Sequence, residues 1–323
     1  MRSSTAARTS RRTLLAVASA SALALGLSAC GGSGGGSSAP ALPGQSGAPA
    51  ASAPTFLDGA PVAAAATMAD GTTMAKIRKR GYLIVGGSSD APLLSQKNPV
   101  TGKYEGFDAY MGQLLATYIF GKPNVHILSS ATQTREALLQ NHTVDVVFQT
   151  YSITPERAKQ VNFVGPYLSS GFEIATRKGD NVSSLADLNG KTVIAGSNTP
   201  AIAEIKKEAP KAKVLTFDTD PACVQALTQG RGTAYVQDSI TLAADLKSNP
   251  GFQINGKPFD TGYMGIGVPK DESDMSSFVN TWLNTTIKDG SWTKVWNASL
   301  GSVLGDVTPP TPGSVPDVYT PKA

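Results

Sequence analysis

The stretch Thr150-Tyr151-Ser152-Ile153-Thr154-Pro155-Glu156-Arg157 follows the apolar run Val144, Val146, Val147 and Phe148. Aliphatic hydroxyls at 150, 152 and 154 and a cation at 157 are thus placed just past what reads as a strand. Thr154, Pro155, Glu156 and Arg157 read as N-cap, N1, N2 and N3 of a helix, with proline where its missing N–H costs nothing. Arg157 then sits in a first turn whose macrodipole disfavours a cation. Free N–H groups, nearby hydroxyls and a guanidinium together make an anion site. The alternative is a solvent-facing arginine offset by Glu156. Asp238 follows a second strand-like run, 233–236, and either offers the opposite charge or merely caps the helix that begins near Ser239. A cationic strand end facing an anionic one would suit a zwitterion.

Such residues need strands and helices to hold them. Strand and helix patterns alternate through 83–85, 109–118, a further strand, 135–140 and 144–148, which reads as α/β. A second set follows with strands at 192–195, 214–217 and 233–236 and helices at 201–207, 223–229 and 240–246. A strand-like segment at 263–268 and amphipathic segments at 275–287 and 292–300 close the globular part. The two units echo each other: Leu139 is followed ten positions later by Gln149, and Leu227 at the same spacing by Gln237. On this register Thr150 and Asp238 are equivalent, each at the carboxyl end of a strand, where open α/β sheets bind ligands.

The ends of the chain read differently. Arg2, Arg8, Arg11 and Arg12 precede the apolar run Leu14 to Leu27, and Leu27-Ser28-Ala29-Cys30 closes an export signal shorter than the ~20 residues of a membrane span. Leu-Ser-Ala-Cys resembles a lipobox, which makes residues 1–29 the signal and Cys30 the lipidation site. Ser10-Arg11-Arg12-Thr13-Leu14-Leu15 also resembles a twin-arginine signal, so the export route stays open. Removing four of the 28 basic residues leaves 24 against 24 acidic ones, so the basic balance belongs to the signal and argues for no nucleic acid. Residues 30–73, rich in Gly, Ser, Ala and Pro to about Ala66, read as a flexible tether, and 306–323 as a Pro-rich tail lying extended over the surface. Gly31-Gly32-Ser33-Gly34-Gly35 matches the serine-hydrolase elbow in form only, since no strand precedes it. Cys223 reads as a small buried apolar residue and His142 as a turn residue; no spacing of His, Cys and carboxylates suggests a metal, and no fingerprint suggests a cofactor.

Several segments together resemble the solute-binding proteins that feed amino-acid ABC importers, above all their glutamate-binding lipoproteins. They are Ile77-Arg78-Lys79-Arg80-Gly81-Tyr82-Leu83-Ile84-Val85-Gly86, Thr101-Gly102-Lys103-Tyr104-Glu105-Gly106-Phe107-Asp108, the stretch 150–157, Phe163-Val164-Gly165-Pro166-Tyr167, Leu185-Ala186-Asp187-Leu188-Asn189-Gly190-Lys191-Thr192-Val193, Ala226-Leu227 and Gln237-Asp238. The resemblance implies a two-lobe, periplasmic-binding-protein-like clamp with two hinge crossings, near 169–172 and 262–265. Lobe 1 would take 74–170 and 265–305, and lobe 2 would take 171–264. Arg157 would bind the ligand's α-carboxylate with help from Ser152, Asp238 would hold the α-ammonium, and the carbonyl near Thr150 would assist. Arg135 lies where acidic amino-acid binders carry Asn-Arg and would suit a distal carboxylate, hence glutamate or aspartate. Asp90 matches a pocket position that could accept from an amide, which keeps glutamine and asparagine open. Two departures stand out. Pro200 removes an N–H that relatives use for the carboxylate, a loss Thr199 or Ser197 would offset. Leu93 stands where relatives place an aromatic ring, leaving Tyr151 and Phe172 as packing candidates.

The implied partners are one amino acid, an ABC permease with separate ATPase subunits, and the membrane through the lipid anchor, with the protein acting as a monomer outside the cytoplasmic membrane. The rival reading is an exported enzyme, a cyclohexadienyl-dehydratase-like protein on the same clamp, which would need a general acid for its leaving hydroxyl. A membrane receptor's sensory domain is disfavoured by the lack of a later apolar stretch of ~20 residues.

Overall fold

A computed structural model describes residues 54–319. The export signal, Cys30 and the first part of the tether lie outside them. The first part of the chain supplies α1 (Thr73–Arg80), β1 (Leu83–Gly87), β2 (Asp90–Ala91), β3 (Ser95–Lys97), β4 (Tyr104–Glu105), α2 (Phe107–Phe120), β5 (Val125–Ser129), α3 (Arg135–Gln140), β6 (Val146–Val147) and α4 (Pro155–Ala158). The middle supplies β7 (Asn162–Arg177), β8 (Thr192–Gly196), α5 (Ala201–Glu208), β9 (Lys213–Phe217), α6 (Asp220–Thr228), β10 (Ala234–Asp238) and α7 (Ser239–Ser248). β11 (Phe252–Val268), α8 (Ser273–Lys288), α9 (Ser291–Asn297) and α10 (Gly301–Leu304) follow.

The strand order β5-β1-β6-β11-β7-β10-β8-β9 is nearly symmetric about its middle. On one side β5, β1 and β6 are parallel, and on the other β9, β8 and β10 are parallel. Helical crossovers join these parallel strands, as parallel pairing requires. The antiparallel pair β7 and β11 lies between and serves both lobes. Val164 pairs with Ile266 in lobe 1 and Ile174 with Asn255 in lobe 2, while the register breaks between Asn255 and Phe259, between Phe259 and Gly262 and between Met264 and Ile266. Bulges of this kind bend and twist a strand where two sheets must diverge. Of β7 and β11 only the strand-like segment 263–268 was read in the sequence, and the small sheet of β2, β3 and β4 was not, because neither strands of two or three residues nor a waist rich in Gly, Ser and Thr carries a clean apolar alternation.

Each lobe has its own core. In lobe 1, Trp292 stacks on Trp296 with centroids 5.4 Å apart, meets Phe107 edge-on at 5.5 Å and donates its indole N–H to Tyr167 O at 3.0 Å. Thus the last helices close the first lobe. In lobe 2, Val193 and Val236 face one core with Leu188 and Ile205, while their neighbours Ile194 and Tyr235 face another with Cys223, Leu227 and Leu242. This is the period-two alternation of strands covered on both faces. Cys223 is fully buried, and burial pushes its thiol up to about 12, in keeping with an apolar role.

The described part of the expected tether is docked rather than loose. Phe56 and Met68 are only 5% and 6% exposed in the lobe 1 core, Phe56 packs on Tyr110 with centroids 4.6 Å apart, and Ala63 N–H donates to Tyr118 O. Two large apolar side chains suffice to dock a segment that composition alone marks as loose. The described part of the tail, 306–319, lies against lobe 1 and includes turns at 312–313 and 316–317. Gly313 N–H donates to Gly165 O at 2.7 Å, Tyr319 N–H to Phe163 O, and the Tyr319 hydroxyl lies 2.8 Å from that of Ser277. Among the described residues no helix is long and apolar enough to cross a membrane.

Gly106 shows how tightly the first crossover is built. Its φ is +112°, and a Cβ there would stand 2.6 Å from the Leu94 carbonyl carbon, which is backbone and cannot move aside. Gly106→Ala is therefore expected to cost about 2 kcal/mol or more, read as a lowered urea midpoint with an unchanged m-value.

Candidate functional site

A cavity of about 160 Å³ lies between the lobes, small beside the ~300–1,000 Å³ of pockets for drug-sized ligands. Lobe 1 lines it with Asp90, Arg135, Gln149, Thr150, Ser152 and Arg157. Lobe 2 adds Thr199, Pro200, Asp220, Tyr235, Gln237 and Asp238. Thr150 and Asp238, equivalent in the sequence echo, thus meet the same space from opposite lobes. The lobes touch around it: an Arg157 guanidinium nitrogen donates to Asn198 O, and Thr132 N–H to Asp218 O at 3.5 Å.

Arg157 is positioned by the motif that drew attention to it. Thr154 caps α4 by accepting from Arg157 N–H, and Pro155 sits in the first turn. The helix is a single turn, however, so its dipole is a minor influence. Arg157 is 6% exposed rather than solvent-facing, and its carboxylate partner is Glu136, Nε to Oε1 at 3.2 Å, not Glu156. Its Nη1 donates to Ser152 O at 2.8 Å. Each terminal nitrogen keeps a second hydrogen, so a bidentate fork can still meet a carboxylate. Burial lowers the pKa of Arg157 from its ordinary value, and Tyr151 and Glu136 oppose the shift.

Arg135 lies beside it. The Arg135 and Arg157 guanidiniums stand 4.3 Å and 5.1 Å from the centroid of one ring, that of Tyr151. Arg135 is 3% exposed, with Nε donating to Thr132 O at 3.0 Å and Nη1 to Gln149 O at 2.9 Å. Burial first, and Arg157 second, bring its pKa down to about 10, so it remains a cation at neutral pH. The sequence expectation set Arg135 apart from Arg157, toward the ligand's side chain; the structure puts both cations at one end.

Thr150 adopts φ +41°, uncommon for a β-branched residue. Its N–H donates to Asp108 Oδ2 at 3.0 Å, and the Tyr167 hydroxyl donates to Asp108 Oδ1 at 2.7 Å. Burial pushes Asp108 up to about 7 against these two hydrogen bonds. Such strain at a binding surface persists only where neighbours fix it, and Asp108 is that neighbour here. Asp238 does cap α7, accepting from Thr241 N–H at 2.9 Å and its hydroxyl at 2.8 Å, yet it also lines the cavity. Burial raises Asp238 to about 6.

The remaining expectations divide. Thr199 lines the cavity but its hydroxyl donates to Gly196 O at 2.8 Å, and Ser197 does not line the cavity, its N–H going to Phe217 O. The Thr199 hydroxyl is thus already engaged, and Ser197 stands away from the cavity. Phe172 and Leu94, rather than Leu93, give the cavity apolar wall, and Tyr151 sits beneath the guanidiniums, fully buried. His142 has φ +57°, as a turn residue would. Among the described residues no cluster of His, Cys, Asp and Glu could hold a metal ion. Glu136, Asp108 and Asp220 were missed: each reads as a helix-start acid, and only the fold shows that they turn inward.

The sequence from 83 to 301 matches the family model of bacterial extracellular solute-binding proteins, family 3. The chain belongs to that family. It is 30% identical over 226 residues to the ABC transporter glutamine-binding protein GlnH of Bacillus subtilis, covering 69% of this chain and 83% of that one. It is 30% identical over 251 residues to the glutamate-binding protein GluB of Corynebacterium efficiens, covering 73% of this chain and 85% of that one. Among solved structures, the solute receptor for L-cysteine of Neisseria gonorrhoeae superposes with a TM-score of 0.69 at 28% identity over 72% of this chain and 96% of that one. This solute-binding protein thus carries the family's two-lobe α/β clamp, with the cavity between the lobes.

Asp108 gives the site a measurable signature. Its folded pKa of about 7 lies above the ordinary 3.8, so between these values the folded state holds a proton that the unfolded state has released. Its contribution therefore makes stability fall as pH rises through that window, by at most about 1.4 kcal/mol per pH unit. Asp108→Asn is expected to flatten this slope in urea denaturation across pH about 4.5 to 7; an unchanged slope would mean that the carboxyl ionises normally.

Proposed function

We propose that this protein is exported, anchored by a lipid on Cys30, and captures one amino acid between its lobes for delivery to an ABC importer. The observation that carries the reading is a cation and an anion on opposite lobes, Arg157 and Asp238, lining one small cavity. The Arg157 fork takes the α-carboxylate, with the Ser152 hydroxyl beside it and the strained backbone at Thr150 presenting its carbonyl. Asp238 keeps oxygen lone pairs for the α-ammonium after capping α7. Because the two charges belong to different lobes, a zwitterion stabilises the closed arrangement by more than it stabilises an open one, and hinge motion of the β7–β11 waist follows. Names such as glutamine-binding and glutamate-binding among the relatives support an amino-acid ligand held without turnover, rather than the dehydratase alternative. The protein acts as a monomer beside a permease whose ATPase subunits work on the cytoplasmic side.

Glutamate and aspartate would need a cation at the side-chain end of the cavity, the role first expected of Arg135. Glutamine and asparagine would need an acceptor there, the role first expected of Asp90.

Calorimetric titration of the purified protein, freed of bound ligand, tests the reading directly. One-to-one binding of an amino acid is expected, and Arg157→Ala should weaken it by about a hundredfold or more whatever the side chain, the scale of removing one partner from a buried charge pair. Binding should also weaken as pH falls through about 6, where Asp238 takes up its proton and ceases to attract the ammonium. Absence of binding to every one of the common amino acids would defeat the proposal. For the anchor, Cys30→Ser is expected to move the protein from the membrane fraction to the soluble one.

A further inference from the structure

The cavity has two unlike ends. On the Arg157 side it is flanked by a hollow that Arg157, Thr199 and Pro200 share with Gln133, Glu136 and Asn198. On the other side, Asp90 of lobe 1 and Asp220 of lobe 2 are shared with a hollow that Asp245 also lines. Arg135 belongs to the first end, because it shares the Tyr151 ring with Arg157. Two of its donors already go to backbone carbonyls. The far end is acidic and lacks a countercharge. No ion pair among the described residues involves Asp90, Asp220, Asp238 or Asp245.

The groups around Asp220 are arranged to present it. Asp238 N–H donates to Gln237 Oε1 at 2.9 Å, Gln237 Nε2 donates to the Tyr235 hydroxyl at 2.8 Å, and that hydroxyl donates to Asp220 Oδ1 at 2.7 Å. A hydrogen-bonded chain of this kind fixes each member and strengthens its neighbours. It ties the acceptor at the far end to the residue that holds the headgroup. Behind Asp220, Asp245 is 3% exposed, and Oδ2 of both aspartates is buried with no hydrogen-bond partner among the described residues. Buried carboxylate oxygens are ordinarily hydrogen-bonded, and an exception calls for a ligand, a water or a proton. Burial, and after it Asp220, push Asp245 up to about 10, so Asp245 keeps its proton at neutral pH.

We infer that the ligand is an amino acid whose side chain ends in N–H donors, a carboxamide or a cation, and that Asp220 is the residue that selects it, with Asp90 closing on the same group from the other lobe. A carboxylate side chain entering with its headgroup on Arg157 and Asp238 would point its charge at two aspartates, whereas an amide or cationic nitrogen would find acceptors on both. Selection by buried carboxylate acceptors discriminates strongly, because a ligand without N–H donors leaves their remaining lone pairs unmatched. The inference rests on the amino-acid reading above and narrows it.

The test is a panel titration of the purified protein with glutamine, asparagine, arginine, lysine, glutamate, aspartate and alanine, repeated with Asp220→Ala, Asp220→Asn and Asp90→Asn. The best N–H-donating ligand is expected to bind at least about tenfold tighter than the carboxylate of matching length, the scale of one hydrogen bond to a charged group. Asp220→Ala should remove that preference, weakening the N–H-donating ligand by at least about tenfold more than alanine, which uses the headgroup alone. A neutral amide as winner would retain most of its affinity in Asp220→Asn, and a cation would not. Asp90→Asn, at an exposed position, keeps the question open to a result if Asp220→Ala melts early; it should shrink the same preference, affecting the N–H-donating ligand more than alanine. A wild-type preference for glutamate or aspartate, or equal losses for every ligand in the Asp220 and Asp90 variants, would overturn the inference while leaving the amino-acid reading standing. No binding to any member of the panel would also overturn the inference, and the amino-acid reading would fall with it only if the remaining common amino acids did not bind either.

Discussion

The antiparallel pairing of β7 with β11 is the constraint on which the rest depends. These two strands serve both lobes, so their length, their register on either side of the waist and the breaks between Asn255 and Gly262 fix how the two sheets face. The carboxyl ends of β6 and β10 point into one cleft only because β6 pairs with β11 and β10 with β7. Thr150 and Asp238 inherit their positions from that pairing. A rigid ribbon interrupted by bulges also confines relative motion to few bonds, as expected of a hinge that must close reproducibly on a small ligand.

Around this frame the electrostatics are polarised along the cavity. Two guanidiniums are buried at one end, which would be costly but for the Tyr151 ring beneath both, the Glu136 carboxylate and the carbonyls of Thr132, Gln149, Ser152 and Asn198. Carboxylates accumulate at the other end without cations. The cavity therefore has a direction, set by side chains from both lobes. Relatives whose names specify glutamine, glutamate and cysteine share the family and its fold, so the choice of ligand must reside in how such ends are furnished.

Much of this was legible in the sequence, and for identifiable reasons. The parallel strands and their helices announce themselves because each is one continuous apolar run or one amphipathic face, as at 192–195 and 275–287. The cap at Thr154 and the strand-end positions of Thr150 and Asp238 follow from local chemistry. What escaped depends on contacts distant in sequence. Glu136 is adjacent to Arg135 in the chain, yet only the docking of α4 beside α3 pairs it with Arg157. The two arginines look like separate sites because 22 positions divide them, and only the Tyr151 ring brings them together. Phe56 and Met68 were lost in a segment whose composition says linker, since two apolar residues among many small ones leave no periodicity to detect.

The chain crosses the waist twice, and this sets an order of assembly. Lobe 2 draws its sheet from one unbroken stretch between the outward crossing on β7 and the return on β11. Lobe 1 does not: the far half of β11 stands between β6 and β7 in its sheet, its core needs Trp282 and Trp292, and its outer face is finished by Gly313 and Tyr319. As the polypeptide emerges from its amino end, the lobe begun first is therefore the lobe completed last, and until then β5, β1 and β6 lack a neighbour on the β6 edge. A chain read in this order cannot close a working cleft before almost its whole length is present, so a truncated product would lack the lobe that carries Arg157 in finished form.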